Sequence, residues 1–393
     1  MLLTIRQLGA EDWPNYRGRN HDGISSETNW TDQWPKSGPR ELWRTNVGVG
    51  FTSCSIANDR LFVGGNMDGE ESLYCIHATT GKRLWKYTYE CDLDDRFFEG
   101  GPTSTPTIDG DRVYFLSRPG DLLCLEADTG KLNWSKNLPE SVLVRVPGWG
   151  FAGSPVVQGE RLILNVGESG LALDKLTGDM LWKSGDAEAG YMTPFPFQME
   201  NKWFALIASG KFYHCVDLES GSVLWKHRWL TTYGCNAASP IVFGSNAFFS
   251  SGYGRGSTLV ALKSDSYEVV WANKGMQNQF NSSVLIDGSL YGFDGDEGGE
   301  VFFKCMDFAA GGEHWSYPGL GSGALTAANG KLIILSQNGE LIIANASSKE
   351  FSPTSKAKVL DGKCWTVPVL CNGKIYCRNA AGDVVCLDVR PPN

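Results

Sequence analysis

Leu122 to Trp134 reads LLCLEADTGKLNW: an apolar strand, a turn closed by Thr129-Gly130, and a second strand ending in tryptophan. The same phrase returns as Leu73 to Trp85 (LYCIHATTGKRLW), Leu171 to Trp182 (LALDKLTGDMLW) and Phe212 to Trp225 (FYHCVDLESGSVLW). Weaker copies run Leu259 to Trp271, Val301 to Trp315 and Leu341 to Phe351. Upstream of each copy lies a hairpin with a short polar turn, such as ANDR, IDGDR, VQGER, ANGK or CNGK, where Gly or Asn supplies the positive φ that a tight hairpin needs. The tryptophans fall at 43, 85, 134, 182, 225, 271 and 315, with Phe351 standing in an eighth slot, so the gaps are 42, 49, 48, 43, 46, 44 and 36. Four short strands fill such a period, and periods of about 40 to 50 residues with four strands are propeller blades.

First strands are expected near Ser53, Ser104, Gly153, Thr193, Ser239, Ser282, Gly323 and Thr366, which gives eight blades. The chain ends on a third-strand pattern, Asp383 to Val389, and opens after its leader with an orphan tryptophan strand, Glu41 to Asn46. The simplest closure has the N-terminal strand complete the C-terminal blade, leaving no open edge. The expected fold is therefore all-β: an eight-bladed β-propeller of four-stranded antiparallel blades over 41–393, preceded by a leader over 1–40. A tryptophan at one place in nearly every blade is a packing element that docks neighbouring blades.

Composition agrees with short strands joined by tight turns: 47 glycines, 14 tryptophans, 42% hydrophobic and 20% charged residues. No apolar run approaches the roughly 18 to 20 residues of a membrane span, and the chain reads as a soluble globular protein. A net charge of -9 without any Lys/Arg cluster argues against nucleic acid or an anionic membrane as the main partner. Met1 to Ala10 carries a short apolar stretch, Arg6, Gly9 and Ala10, and reads as the stub of a mis-started or trimmed signal peptide, too short for a whole one; periplasmic or other export is the expectation. Of eleven cysteines, Cys75, Cys124, Cys215, Cys305 and Cys386 share one repeat position and read as buried strand residues; the other six leave room for a bridge. Without a Cys-x-x-Cys-His motif, attached haem is not expected, and no zinc spacing is present.

The phrase Asp128 to Trp134 resembles the repeat of PQQ-dependent alcohol dehydrogenases, and also that of non-enzymatic relatives such as the propeller lipoprotein of the bacterial outer-membrane barrel-assembly machinery. The leader Asp12 to Ser25 (DWPNYRGRNHDGIS) is similar to the opening of PQQ-like propellers of planctomycetes. Resemblance to the dehydrogenases implies a quinone held between a tryptophan and a disulfide of adjacent cysteines, with calcium beside a catalytic aspartate; this chain has no Cys-Cys pair.

In a propeller, the connections between blades open on one face with the mouth of the channel. Here four of them are long, Lys86 to Thr103, Ser135 to Ala152, Lys226 to Ala237 and Ala272 to Asn281, and long loops on a rigid scaffold concentrate binding residues. Candidate ligand residues on this face are Arg96, Glu99, Arg145, Trp149, Glu168, Tyr191, Tyr233, Asn236, Gln279, Asn281 and Trp365. Charged groups and flat aromatics around a funnel suit a polar, ring-containing ligand, although a solvated rim with loop-packing aromatics shows the same composition. Asp294, Asp296 and Glu300 suggest calcium but lack the spacing of a calcium loop. The expected function is a binding or scaffolding module that takes a small polar molecule, a glycan or a protein at this face. The alternatives are a PQQ- and calcium-dependent oxidoreductase acting on an alcohol or sugar, and a carbohydrate-active enzyme using a carboxylate pair such as Glu99 and Glu168.

Overall fold

A computed structural model describes residues 11–392. The expected signal-peptide stub, Met1 to Ala10, lies outside them. Eight antiparallel four-stranded sheets follow one another along the chain, at 55–90, 107–137, 156–183, 195–228, 241–273, 284–318, 324–358 and 369–388. The eighth sheet holds only three strands of that last range. Its outer strand is Arg40–Asn46, paired with Asp383–Asp388, so the N-terminal strand closes the ring as expected.

First strands of neighbouring blades touch, which puts them around the axis. Among the described residues helix is confined to one turn at Leu138–Ser141 and a 3-10 turn at Thr232–Gly234. Type I′-like hairpins set the register where sequence demands it: Asn329 and Gly330 both have positive φ, at 49° and 70°.

The core is a set of seams, each built from two adjacent blades. One seam, for example, joins Phe62, Leu73 and Cys75 of blade 1 to Val113, Phe115 and Leu125 of blade 2. The repeated tryptophan works at these seams. The indole Nε1 of Trp85 donates to the Ala127 carbonyl at 3.0 Å, Trp43 to Ala78 at 2.8 Å and Trp182 to Leu218 at 3.0 Å, each in the next blade. The repeated cysteines are the cross-strand partners of these indoles, as in Cys75↔Trp85, Cys124↔Trp134 and Cys386↔Trp43. All eleven cysteines are unpaired thiols, so no bridge forms among the other six.

Two seams depart from the pattern. Trp225 Nε1 has no acceptor among the described residues; Tyr267 of blade 5 covers the indole instead, 4.8 Å away and tilted. Phe351 does not occupy an eighth tryptophan slot. Ser355 stands opposite Ile343 where Trp315 stands opposite Cys305, while Phe351 lies in the preceding turn and packs on Trp315 at 5.7 Å. The space between blades 7 and 8 is filled from the leader: Trp30 is buried there and Trp34 packs beside it. Asp32 holds this segment in place, its carboxylate 2.7 Å from Lys331 Nζ and its carbonyl taking the Ser355 hydroxyl.

The rest of the leader enters the channel. Trp13 bridges Ile56 of blade 1, Pro14 accepts from Ile108 N of blade 2 at 2.8 Å, and Ile24–Ser25 adds a parallel strand to Ala324–Ala328 of blade 7. Arg17 is 1% exposed and donates to the carbonyls of His21, Asp22 and Ser283 at 3.1, 2.7 and 2.7 Å. This channel segment ends at Glu27, whose carboxylate takes the backbone N–H groups of Asn372 and Gly373.

Candidate functional site

At the loop-bearing face the ring opens into a cavity of about 480 Å³. Every inter-blade connection except that from blade 6 to blade 7 contributes to its wall, and Tyr16 of the leader closes it from below. Such a position follows from the architecture: short, rigid first strands converge on the axis and project their leading residues into one funnel.

The neck is a ring of hydroxyls. Ser53 N donates to Thr105 Oγ1 at 3.1 Å, Thr105 N to Ser154 Oγ at 2.9 Å, and Ser154 N to Thr193 Oγ1 at 2.9 Å, so each hydroxyl ties the blade before it. Ser239 N continues the pattern to Ser282 Oγ at 2.8 Å. The periodic Ser/Thr at first-strand starts is the sequence signal of this ring.

Above the neck the wall is aromatic. Phe51 stacks on Trp365 with centroids 5.2 Å apart, and Phe280 tilts against the same indole at 4.6 Å. Trp149 meets Phe97, Tyr191 and Tyr233 edge-to-face at 5.9, 5.6 and 6.0 Å, and Tyr233 reaches Tyr253 at 5.7 Å. Burial pushes the Tyr253 phenol up to about 12, so this hydroxyl stays protonated. Glu297 is the one carboxylate of the lining, and no lysine or arginine belongs to it. At the lip, Lys363 Nζ sits 2.8 Å from Glu99, 3.5 Å from Glu297 and 4.1 Å from the Trp365 ring centre.

Of the sequence-derived candidates, the structure brings Trp149, Tyr191, Gln279, Asn281 and Trp365 together in the cavity wall. Tyr233 stands on the rim, largely exposed. Glu99 borders a shallow recess beside the mouth and is paired with Lys363. Arg96 is exposed on the same loop, its Nε 2.5 Å from Asp94, and Arg145 is exposed on the next loop. Glu168 lies against Gly185 within blade 3, outside the cavity. Asn236 is fully buried and braces its loop, donating to the carbonyls of Ser209 and Trp229 and accepting from Ser251 Oγ.

The acidic turn of blade 6 does not gather around a point. Asp294 pairs with Lys304 at 2.9 Å, Asp296 accepts from Tyr253 N at 2.7 Å, and Glu300 is exposed. Among the described residues no group of three or more His, Cys, Asp or Glu is placed to hold a metal. Sequence reading missed Phe51, Phe97, Phe98, Tyr253, Phe280 and Tyr16, since a single aromatic outside the repeat carries no periodic mark.

The wall can be tested against the cofactor of the quinoprotein dehydrogenases. A tricarboxylated quinone with its calcium needs cations or several donors for its carboxylates and acidic ligands for the metal. Among the described residues the lining offers hydroxyl donors but no cation, and its lone carboxylate, Glu297, is paired with Lys363, so it lacks both the counter-charge for three carboxylates and an acidic ligand set for the metal; the residues present do not fit that group.

Comparison with known proteins gives the family and the fold. The family model described as outer membrane protein assembly factor BamB matches residues 90–303. Quinoprotein alcohol dehydrogenase PedH of Pseudomonas putida is 28% identical over 127 residues, which take in 30% of this chain and 20% of that protein. The chain thus covers about a fifth of the length of the quinoprotein relatives it matches. Among solved structures, BamB from Moraxella catarrhalis superposes with a TM-score of 0.64 at 16% identity, over 90% of this chain and 98% of that one. Quinohemoprotein alcohol dehydrogenase from Comamonas testosteroni superposes with a TM-score of 0.73 at 14% identity, over 99% and 82%. Among the described residues no helix is long and apolar enough to cross a membrane.

Proposed function

Because the chain belongs to the family described as outer membrane protein assembly factor BamB, we propose that it is an exported, periplasmic scaffolding propeller that docks a partner protein on its loop-bearing face. One observation carries this reading: apolar side chains of three loops that also wall the cavity are held out in solvent. Phe97 is 63% exposed, Leu143 79% and Tyr233 71%, with Val146 and Leu230 beside them in the same loops. The edge contacts of Phe97 and Tyr233 with Trp149 tie these loops into one surface.

Two of these side chains stand on backbone that bulky residues avoid. Leu143 has φ 54° and Tyr233 φ 66°, each costing on the order of 1 kcal/mol or more. Strain that keeps an apolar side chain in water serves contact rather than stability, and rimmed apolar patches of this kind mark interaction sites.

The chemistry of the face argues against the enzymatic readings. The cavity wall does not suit the tricarboxylated quinone, and Glu99 and Glu168 are not brought together as a carboxylate pair.

Benzoylphenylalanine placed at Tyr233 tests the proposal in cells, with Phe243 on the hairpin face as the exposed control. A discrete protein adduct at 233 and none at 243 is expected. Equal labelling at both positions, or none at 233, overturns the docking face. Saturable PQQ binding with dye reduction on alcohols or sugars would instead move the chain into the oxidoreductases.

A further inference from the structure

The hydroxyl ring has unspent capacity. Thr105, Ser154 and Thr193 each accept one backbone N–H and donate to no acceptor among the described residues. Ser53 lines the same neck, and its hydroxyl has no hydrogen-bond partner among the described residues. A neck of free O–H donors asks for acceptor oxygens on whatever enters, since a ligand without them would leave these donors dehydrated and unpaired.

The rest of the wall narrows the class. Aromatic rings cover most of it, so the body of the ligand is flat and apolar. Among the described residues no cation lies in the wall, and its lone acid Glu297 is paired with Lys363, so an anion finds no counter-charge and a cation only one that is already paired. Sugars need planar amides or carboxylates that fork onto neighbouring hydroxyls. The amides here have their forks taken: Gln279 donates to Tyr253 Oη and accepts from Glu297 N, while Asn281 spends both N–H groups on the carbonyls of Gly323 and Trp365.

We propose that the axial cavity is a small-molecule site for a neutral, flat aromatic compound carrying carbonyl or ether oxygens, which seats its acceptors on the Ser53–Thr105–Ser154–Thr193 hydroxyls. The site is independent of the docking face: it lies below the rim, and a partner protein need not enter it.

Isothermal titration calorimetry on the full chain tests this with coumarin, flavone and 1,4-naphthoquinone as neutral probes, coumarin-3-carboxylate as the anionic counterpart, and cellobiose as the sugar. At least one neutral probe is expected to bind saturably below about 1 mM, and the carboxylate at least about tenfold more weakly than coumarin. Ser53→Ala removes a hydroxyl with no role in the ring and should weaken binding several-fold without moving the melting temperature. Phe98→Ala should weaken it about tenfold by removing wall area. Cellobiose binding in preference to the neutral rings, equal binding of coumarin and its carboxylate, or no saturable binding of any neutral probe overturns the proposal. Binding that survives both substitutions unchanged places the probe elsewhere and overturns it equally. Crosslinking at Tyr233 is read separately, so loss of one result leaves the other standing.

Discussion

Gly130 of blade 2 lies flat on the indole of Trp85 in blade 1, so close that a Cβ at that position would stand 2.6 Å from the ring. The glycine also has φ 72°, so the Thr-Gly turn serves two needs with one residue: a left-handed corner and a bare surface for the neighbouring tryptophan. Gly81 stands in the same relation to Trp43, and Gly221 to Trp182. Gly130→Ala is therefore expected to cost about 2 kcal/mol or more, from strain plus a pushed seam. Gly244→Ala, at φ 59° with nothing within 4 Å, should cost only about 1 kcal/mol. Urea unfolding of the two variants checks the difference.

Glu71 gives the fold a pH dependence of defined sign. It is 1% exposed beneath the loop that carries Phe97 and Phe98, beside the Tyr89 hydroxyl and the Cys91 thiol, and burial pushes its carboxyl up to about 7. A carboxyl whose folded pKa lies above its unfolded value binds its proton more tightly in the native state. Its contribution is full below about 4.5 and is lost as pH rises towards 7, an effect of about 3 kcal/mol. Glu71→Gln should remove this slope. Thermal melts at pH 5 and pH 8 are expected to differ less for the variant than for the parent.

Two buried histidines act with the opposite sign over an overlapping range. His21 and His214 are pushed down to about 4 by burial, so stability that is full above pH 6.5 is lost as pH falls towards 4.

The plug predicts a separable effect. Arg17 gives its donors to three carbonyls of the leader and blade 6, all inside the channel. Arg17→Met keeps the length of the side chain and leaves those carbonyls without their donor, at a cost of about 2 kcal/mol. Trypsin should then cleave sooner after Arg19, whose side chain is already exposed. An unchanged cleavage rate would mean that the leader is held by Trp13 and Glu27 without help from Arg17.

The repeat made the propeller legible because each blade must solve one packing problem, and the solution leaves tryptophan, glycine and cysteine at fixed spacing. Closure was legible for the same reason, through the orphan strand at Glu41 to Asn46. The cavity was legible mainly where loops were long. Trp149, Gln279 and Asn281 could be found that way, but Phe51 and Tyr16 come from a short connection and from the leader, where neither length nor period marks them. Glu168 and Asn236 show the converse. Their loops face the correct way, yet one side chain turns into its own blade and the other is consumed by backbone carbonyls. Side-chain direction in an irregular loop depends on partners that sequence position does not specify.

The seam between blades 7 and 8 makes the sharpest case, because its tryptophan is imported. The gap of 36 residues between Trp315 and Phe351 was short for a repeat of 42 to 49, and the structure explains it: Ser355 occupies the slot, and Trp30 of the leader supplies the missing ring. Trp30 is 8% exposed among Ile333, Leu341, Leu370 and Leu387, so Trp30→Ala should cost about 3 to 5 kcal/mol through lost burial and the cavity left behind. The damage should be local to that seam. Hydrogen exchange is expected to quicken in Lys331–Leu335 and Lys374–Arg378 well before Arg112–Leu116 on the far side of the ring. Phe351→Ala, which opens the seam between blades 6 and 7 instead, should leave Lys374–Arg378 protected. If Trp30→Ala quickened exchange uniformly around the ring, the leader would be closing the propeller as a whole and not one seam of it.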